Sequence, residues 1–182
     1  MNKTKLVALC GVCGAVAVLG LVALSYVKWV ALALAVVVSV VACTPQILNG
    51  RYGWYSFAIY VVAVTVAAFV GNVLYVAPVA IFAMPFCMWK LFCQHKQSCK
   101  LKLYKVLKWL GGFVLANCAL VVSGLLVYLL MPTLWESLVQ QTYVALALVV
   151  AVNLAVIAYD KLLNGAIYVV KNALNKSKFG QQ

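Results

Sequence analysis

Apolar residues fill this chain in long uncharged blocks. Residues 6–27, 29–50, 52–89 and 109–135 contain no Asp, Glu, Lys or Arg. A helix needs about 20 apolar residues to cross a hydrocarbon core roughly 30 Å thick. The third block is nearly twice that length, so it is expected to fold back on itself. Strands of a membrane barrel would alternate apolar and polar positions. Here positions 36–41 read Val, Val, Val, Ser, Val, Val, apolar at both parities. Backbone groups in lipid must pair within their own segment, which leaves the helix as the spanning form.

The pattern therefore predicts an all-α integral membrane protein with about six transmembrane helices, at 6–27, 29–49, 54–71, 74–93, 109–131 and 141–159. Turn residues separate them. Lys28 sits between two aromatics, and Gly50-Arg51-Tyr52-Gly53 carries two glycines able to take unusual backbone angles. Gly71-Asn72 divides the long block, and Pro132 ends the fifth span. The basic stretch 90–108 reads as a long loop, and Asp160-Lys161 as the end of the sixth span. The bundle is expected to occupy 1–160. In the remainder, 161–182, Leu162, Leu163, Ala166, Ile167, Val170, Ala173 and Leu174 recur at helical spacing opposite Lys161, Asn164, Tyr168, Lys171, Asn175 and Lys178. That pattern predicts an amphipathic interfacial helix on the membrane surface. The same stripe would also suit a coiled-coil contact with another subunit.

Charge then fixes an orientation. With the N-terminus inside, thirteen of the 14 basic residues fall on inner segments and only Lys28 falls outside. Positive charge marks the cytoplasmic side, so both termini are expected there. Lys90, Lys96, Lys100, Lys102, Lys105, Lys108, Lys161, Lys171, Lys176 and Lys178 are expected to meet anionic lipid headgroups. Tyr26, Trp29, Tyr52, Trp54, Tyr55, Trp89, Trp109, Trp135 and Tyr159 fall near span ends, where amphipathic rings favour the interface. A net charge of +12 in a soluble protein would suggest nucleic acid. With 68% hydrophobic residues and 9% charged ones, lipid is the expected partner instead, and nucleic acid is not. The first apolar run also has a basic start and a tolerable cleavage site at 23–25. It exceeds the usual 7–15 apolar residues of a signal peptide, which favours a retained span.

Little in the chain offers chemistry. It has one histidine, two acids and seven cysteines, and no HExxH or phosphate-cradling glycine loop. Cys10 and Cys13 form a CxxC that would suit a membrane redox protein, but they lie in an apolar helix, without the exposure and lowered pKa of redox thiols. Small packing residues are the plainer reading. Cys87, Cys93, His95 and Cys99 lack a standard zinc spacing and are interleaved with lysines, so no metal or cofactor is expected. Cys87, Cys93 and Cys99 stand beside the membrane and are candidates for acylation. The polar residues expected within the spans are Ser39, Thr44, Gln46, Thr65, Asn72, Asn117, Ser123 and Asn153, none of them ionisable. A pump with a buried carboxylate is thereby disfavoured. Gln46, Asn117 and Asn153 are the candidates for a polar path, with interhelical hydrogen bonding as the simpler role for the asparagines. Pro78 and Pro85, seven apart, share one helix face and would kink it toward a cavity. Thr44-Pro45-Gln46 resembles the proline-glutamine step of the PQ-loop solute transporters over those few residues, with no clear repeat elsewhere in the chain.

Small residues recur at helical spacing at Gly112, Ala116, Ala119 and Ser123, and again at Ala147, Ala151 and Ala155. Such stripes let helix backbones approach closely. The function expected is a non-catalytic membrane subunit packing with other chains or with copies of itself, or a bilayer-shaping scaffold. A small-solute transporter or channel is the alternative.

Overall fold

A computed structural model describes residues 3–26, 31–95, 101–140 and 142–176. The described chain is almost wholly helical, with no strand. Its elements are α1 (Lys3–Leu24), α2 (Ala31–Ala42), α3 (Thr44–Leu48), a 3-10 turn (Gly50–Tyr52), α4 (Gly53–Val70), α5 (Val73–Pro78), a π-helical turn (Val79–Ala83), α6 (Met84–His95), α7 (Leu101–Leu130), α8 (Pro132–Gln140) and α9 (Thr142–Lys176). Five helical stretches are long and apolar enough to cross a membrane: Lys3–Leu24, Gly50–Val70, Val76–His95, Leu103–Leu130 and Leu146–Leu174. Ala31–Ala42 is apolar but shorter, at 12 residues.

The breaks follow local chemistry. Pro45 has no N–H to return to Val41, so the apolar run ends α2 at Ala42 and resumes as α3 with proline in its first turn. Thr44 Oγ1 donates to Val40 O (3.1 Å) across this break. Asn49 Oδ1 accepts from Arg51 N, which shapes the 3-10 turn where the glycine pair lies. Asn72 caps α5 by accepting from Leu74 N (3.0 Å), and its own N–H donates to Ser25 Oγ at the same end of the bundle. Pro78 interrupts the hydrogen-bond ladder, and one turn of π-helix follows. Helix α6 continues directly from the π-turn, so Pro85 removes a further N–H from the ladder; Tyr60 Oη donates to Ala80 O (3.2 Å), one turn before it.

Helix α1 packs against both α2 and α4, α6 and the π-turn against α7, and α9 against α2 and α7. Ala17, Ala63 and Ala67 are wholly buried, so α1 and α4 approach closely. Leu21, Val38, Met84, Phe86, Tyr159 and Leu163 fill the core.

Three expectations change here. The stretch 90–108 is not one long loop: α6 continues to His95 and α7 begins at Leu101, so Lys105 and Lys108 lie on helix. Nor does a helix end at Asp160-Lys161. Helix α9 runs unbroken for 35 residues, about 52 Å at 1.5 Å per residue, and the sixth span and the amphipathic segment are one element. The apolar stripe of that segment turns inward, with Leu163 and Ile167 buried in the core and Ala166 and Val170 packed against it. It meets α2 and α3 of the same chain rather than lipid alone.

Candidate functional site

Lys90 on α6, Lys108 on α7 and Asp160 on α9 converge into one ion cluster. Lys90 Nζ donates to Asp160 Oδ1 (2.6 Å) and to the Asp160 backbone oxygen (2.9 Å). Lys108 Nζ donates to Asp160 Oδ2 (2.8 Å). The side chains are 0%, 18% and 6% exposed for Lys90, Lys108 and Asp160. A carboxylate so placed needs partners on both oxygens, because an unpaired charge in a low-dielectric interior is costly. Lys108 lies at the rim, with Nζ 4.5 Å from the Trp109 ring centroid, which gives its charge a second, aromatic partner.

Close helix packing makes this convergence possible. A Cβ on Gly111 would collide with the Trp89 indole, and one on Gly112 with the Phe86 ring. Trp89 Nε1 donates to Leu107 O (3.2 Å) and ties α6 to α7 one residue before Lys108. Directly beside Asp160, Tyr159 points into the core. Its hydroxyl lies 2.9 Å from Ser39 Oγ and 3.2 Å from Ala83 O, while Ser39 Oγ donates to Ala35 O (2.6 Å). The Tyr159 proton thus goes to Ser39 Oγ or to Ala83 O. Phe82 and Phe86 stack at 5.5 Å and both tilt against the Tyr159 ring.

Sequence pattern does not reveal the cluster: Lys90 and Asp160 stand 70 positions apart, and each by itself looks like a charge marking the membrane edge. The available signal was an isolated acid in an otherwise apolar helix, with lysines near the ends of two neighbouring helices. Lys90 is therefore no headgroup contact, and Tyr159 no interfacial aromatic. The chain does carry an ionisable group buried among its helices, contrary to the reading of its polar residues.

Other sequence candidates fall as follows. Lys105, Lys161 and Lys171 are exposed; Lys96, Lys100 and Lys178 lie outside the described residues. Gly112, Ala116 and Ala119 are buried and Ser123 half-buried, so this stripe closes the bundle. Ala147, Ala151 and Ala155 are exposed and face away from it. Asn117 and Asn153 do meet: Nδ2 of Asn117 is 3.4 Å from Asn153 Oδ1, and each amide also donates to its own helix, at Phe113 O and Val149 O. Cys13 is buried and Cys10 half-buried on α1. Cys87 and Cys93 are buried, which removes them as acylation sites; Cys99 lies outside the described residues. Gln46 is buried, its N–H facing Ser56 Oγ (3.3 Å) and its Nε2 donating to Met88 O (3.2 Å). It lines a cleft with Asn49, Gln94, His95 and Lys171; Asn117 and Asn153 are not among its lining residues.

No known protein family, curated protein or solved structure matches the chain.

Proposed function

We propose that this chain is a non-catalytic polytopic membrane subunit that packs side by side with further membrane chains. In this reading it crosses the bilayer six times, α2 and α3 together making the short second span, with both termini on the basic, cytoplasmic side. The far end of α9 reaches the headgroup region through Lys161, exposed away from the buried stripe, and Lys171, exposed at its edge.

The Asn117–Asn153 pair carries the proposal. Asn117 lies nine residues beyond Lys108, and Asn153 seven before Asp160. At 1.5 Å per residue they stand about 10–13 Å from the ion cluster, well inside a hydrocarbon core roughly 30 Å thick. Yet Asn117 is exposed on the surface of the single chain. Its Oδ1 and one Asn153 N–H have no partner among the described residues. Open amide groups facing acyl chains cost free energy that a polar or backbone group on a neighbouring helix would remove. The α7 surface agrees, since only 11% of its most apolar stretch is buried within this chain. The alanine stripe at 147, 151 and 155 offers a second outward face on which a partner helix can come close.

Native mass spectrometry of the protein released from nanodiscs tests this. The expected result is an oligomer or a stable complex with other membrane chains, reduced to single chains by Asn117→Leu with Asn153→Leu. A wild-type protein that is monomeric in nanodiscs and copurifies alone refutes it. The transporter alternative draws on the cleft at Gln46, but the two asparagines expected to extend that path do not line it. Single cysteines at positions 3 and 180 test the orientation by labelling: opposite faces would require an odd number of spans.

A further inference from the structure

A cleft of about 320 Å³ opens at the basic end, between α3, the end of α6 and the last third of α9. Its polar lining is Gln46, Asn49, Gln94, His95 and Lys171, set against an apolar wall that includes Leu91 and Ile167. Gln46 is 8% exposed. Its Oε1 is buried and has no hydrogen-bond partner among the described residues. The amide cannot simply turn over, because its Nε2 already donates to Met88 O and a flip would set two oxygens face to face. Buried acceptors are nearly always satisfied, so an orphan on a residue of the cleft wall marks a place for a donor from outside the chain.

The rest of the lining has the opposite character. Lys171 brings a full positive charge, His95 and Gln94 bring N–H donors, and no carboxylate lines the cleft. The His95 ring lies against the Gly50 backbone so closely that a Cβ there would collide with it. The 3-10 turn therefore holds the imidazole at the mouth. A ligand suited to these groups has an anion for Lys171 and His95 and its own O–H or N–H for Gln46 Oε1.

We propose that this cleft binds a phosphate ester bearing a hydroxyl or amine close to the phosphate. That is the chemistry of a glycerophospholipid headgroup and of a small soluble phosphate ester. The phosphate oxygens accept from Lys171 and His95, while the hydroxyl or amine donates to Gln46 Oε1. The volume is at the lower end for small-molecule sites, which suits one headgroup. The site does not depend on whether the chain assembles with others.

Full-length protein in mild non-ionic detergent provides the test. At fixed ionic strength it is titrated with short-chain phosphatidylglycerol, short-chain phosphatidylcholine and glycerol 3-phosphate, with tryptophan fluorescence as the readout. Phosphatidylglycerol, which carries the donor, should bind saturably and about tenfold tighter than phosphatidylcholine, which lacks it. Lys171→Gln and Gln46→Leu should each weaken it about tenfold, and Lys5→Gln, at an exposed lysine of α1 outside the cleft, should leave it unchanged. Lys171→Glu reverses the charge at an exposed position of the lining, so it should abolish binding in a folded protein even if the leucine variant fails to fold. Glycerol 3-phosphate binding as tightly as the lipid assigns the site to a soluble ester; binding by the lipid alone assigns it to a headgroup. Equal affinity for the two lipids, equal weakening by Lys5→Gln and Lys171→Gln, or wild-type affinity in Lys171→Glu would each overturn the proposal.

Discussion

Asp160→Leu should destabilise this chain more than removal of any other single charge. The substitution leaves Lys90 Nζ, on a side chain with no exposed surface, with one backbone carbonyl in place of that carbonyl and a carboxylate oxygen. It also leaves two ammonium groups close together with no anion between them. Removing one partner of a buried ion pair costs about 3–5 kcal/mol. At roughly 2–4 °C per kcal/mol for a chain of this size, the melting temperature should fall by about 6–20 °C. Lys108→Gln removes the partner of one carboxylate oxygen but leaves Asp160 paired with Lys90, so it should cost less, about 1–3 kcal/mol or about 2–12 °C. Lys90→Met combined with Asp160→Leu removes the stranded charge. It should recover at least half of the loss, because an apolar pair of similar volume is often as stable as a buried ion pair. Thermal unfolding in detergent, followed by tryptophan fluorescence and by size-exclusion recovery, measures all four proteins. If the double variant melts no higher than Asp160→Leu, Lys90 is not trapped in the interior and the reasoning fails. Equal effects of Lys108→Gln and Asp160→Leu would refute it as well.

Gly112→Ala should lower stability by about 1–3 kcal/mol, since its Cβ meets the Phe86 ring, whereas Gly14→Ala, with open space around it, should be neutral or raise stability by up to about 1 kcal/mol; the same melting assay separates them. Tyr159→Phe should cost about 0.5–1.5 kcal/mol by removing one buried hydroxyl while Ser39 keeps its bond to Ala35, and a loss far above that would mean the ring itself had moved. Ala116→Leu should destabilise the isolated chain by about 1–3 kcal/mol, because Ala116 is 1% exposed. Ala151→Leu, on the outward stripe, should leave the single chain's melting unchanged and reduce assembly seen by native mass spectrometry; unchanged assembly would mean that this alanine faces lipid.

The sequence alone determined the helical class and most of the segmentation. Uncharged runs of some 20 residues leave a backbone no partner but its own helix, and that constraint is local. For the same reason the turns at Gly50–Gly53, Gly71-Asn72 and Pro132 lie where residue chemistry put them. The stripe at Gly112, Ala116 and Ala119 was legible as a packing face, though its α9 counterpart looked identical and points outward. Only the tertiary structure decided the fate of the charges. Hydropathy treats a lysine or aspartate as a membrane boundary because it weighs each residue against lipid by itself. Lys90 and Asp160 are 70 positions apart and Lys108 and Asp160 are 52 apart, so nothing local announces that they meet. Once paired, the acid no longer needs water, and α9 passes through Asp160 without a break. The cleft at Gln46 arose the same way, from three segments distant in sequence whose ends converge at one end of the bundle.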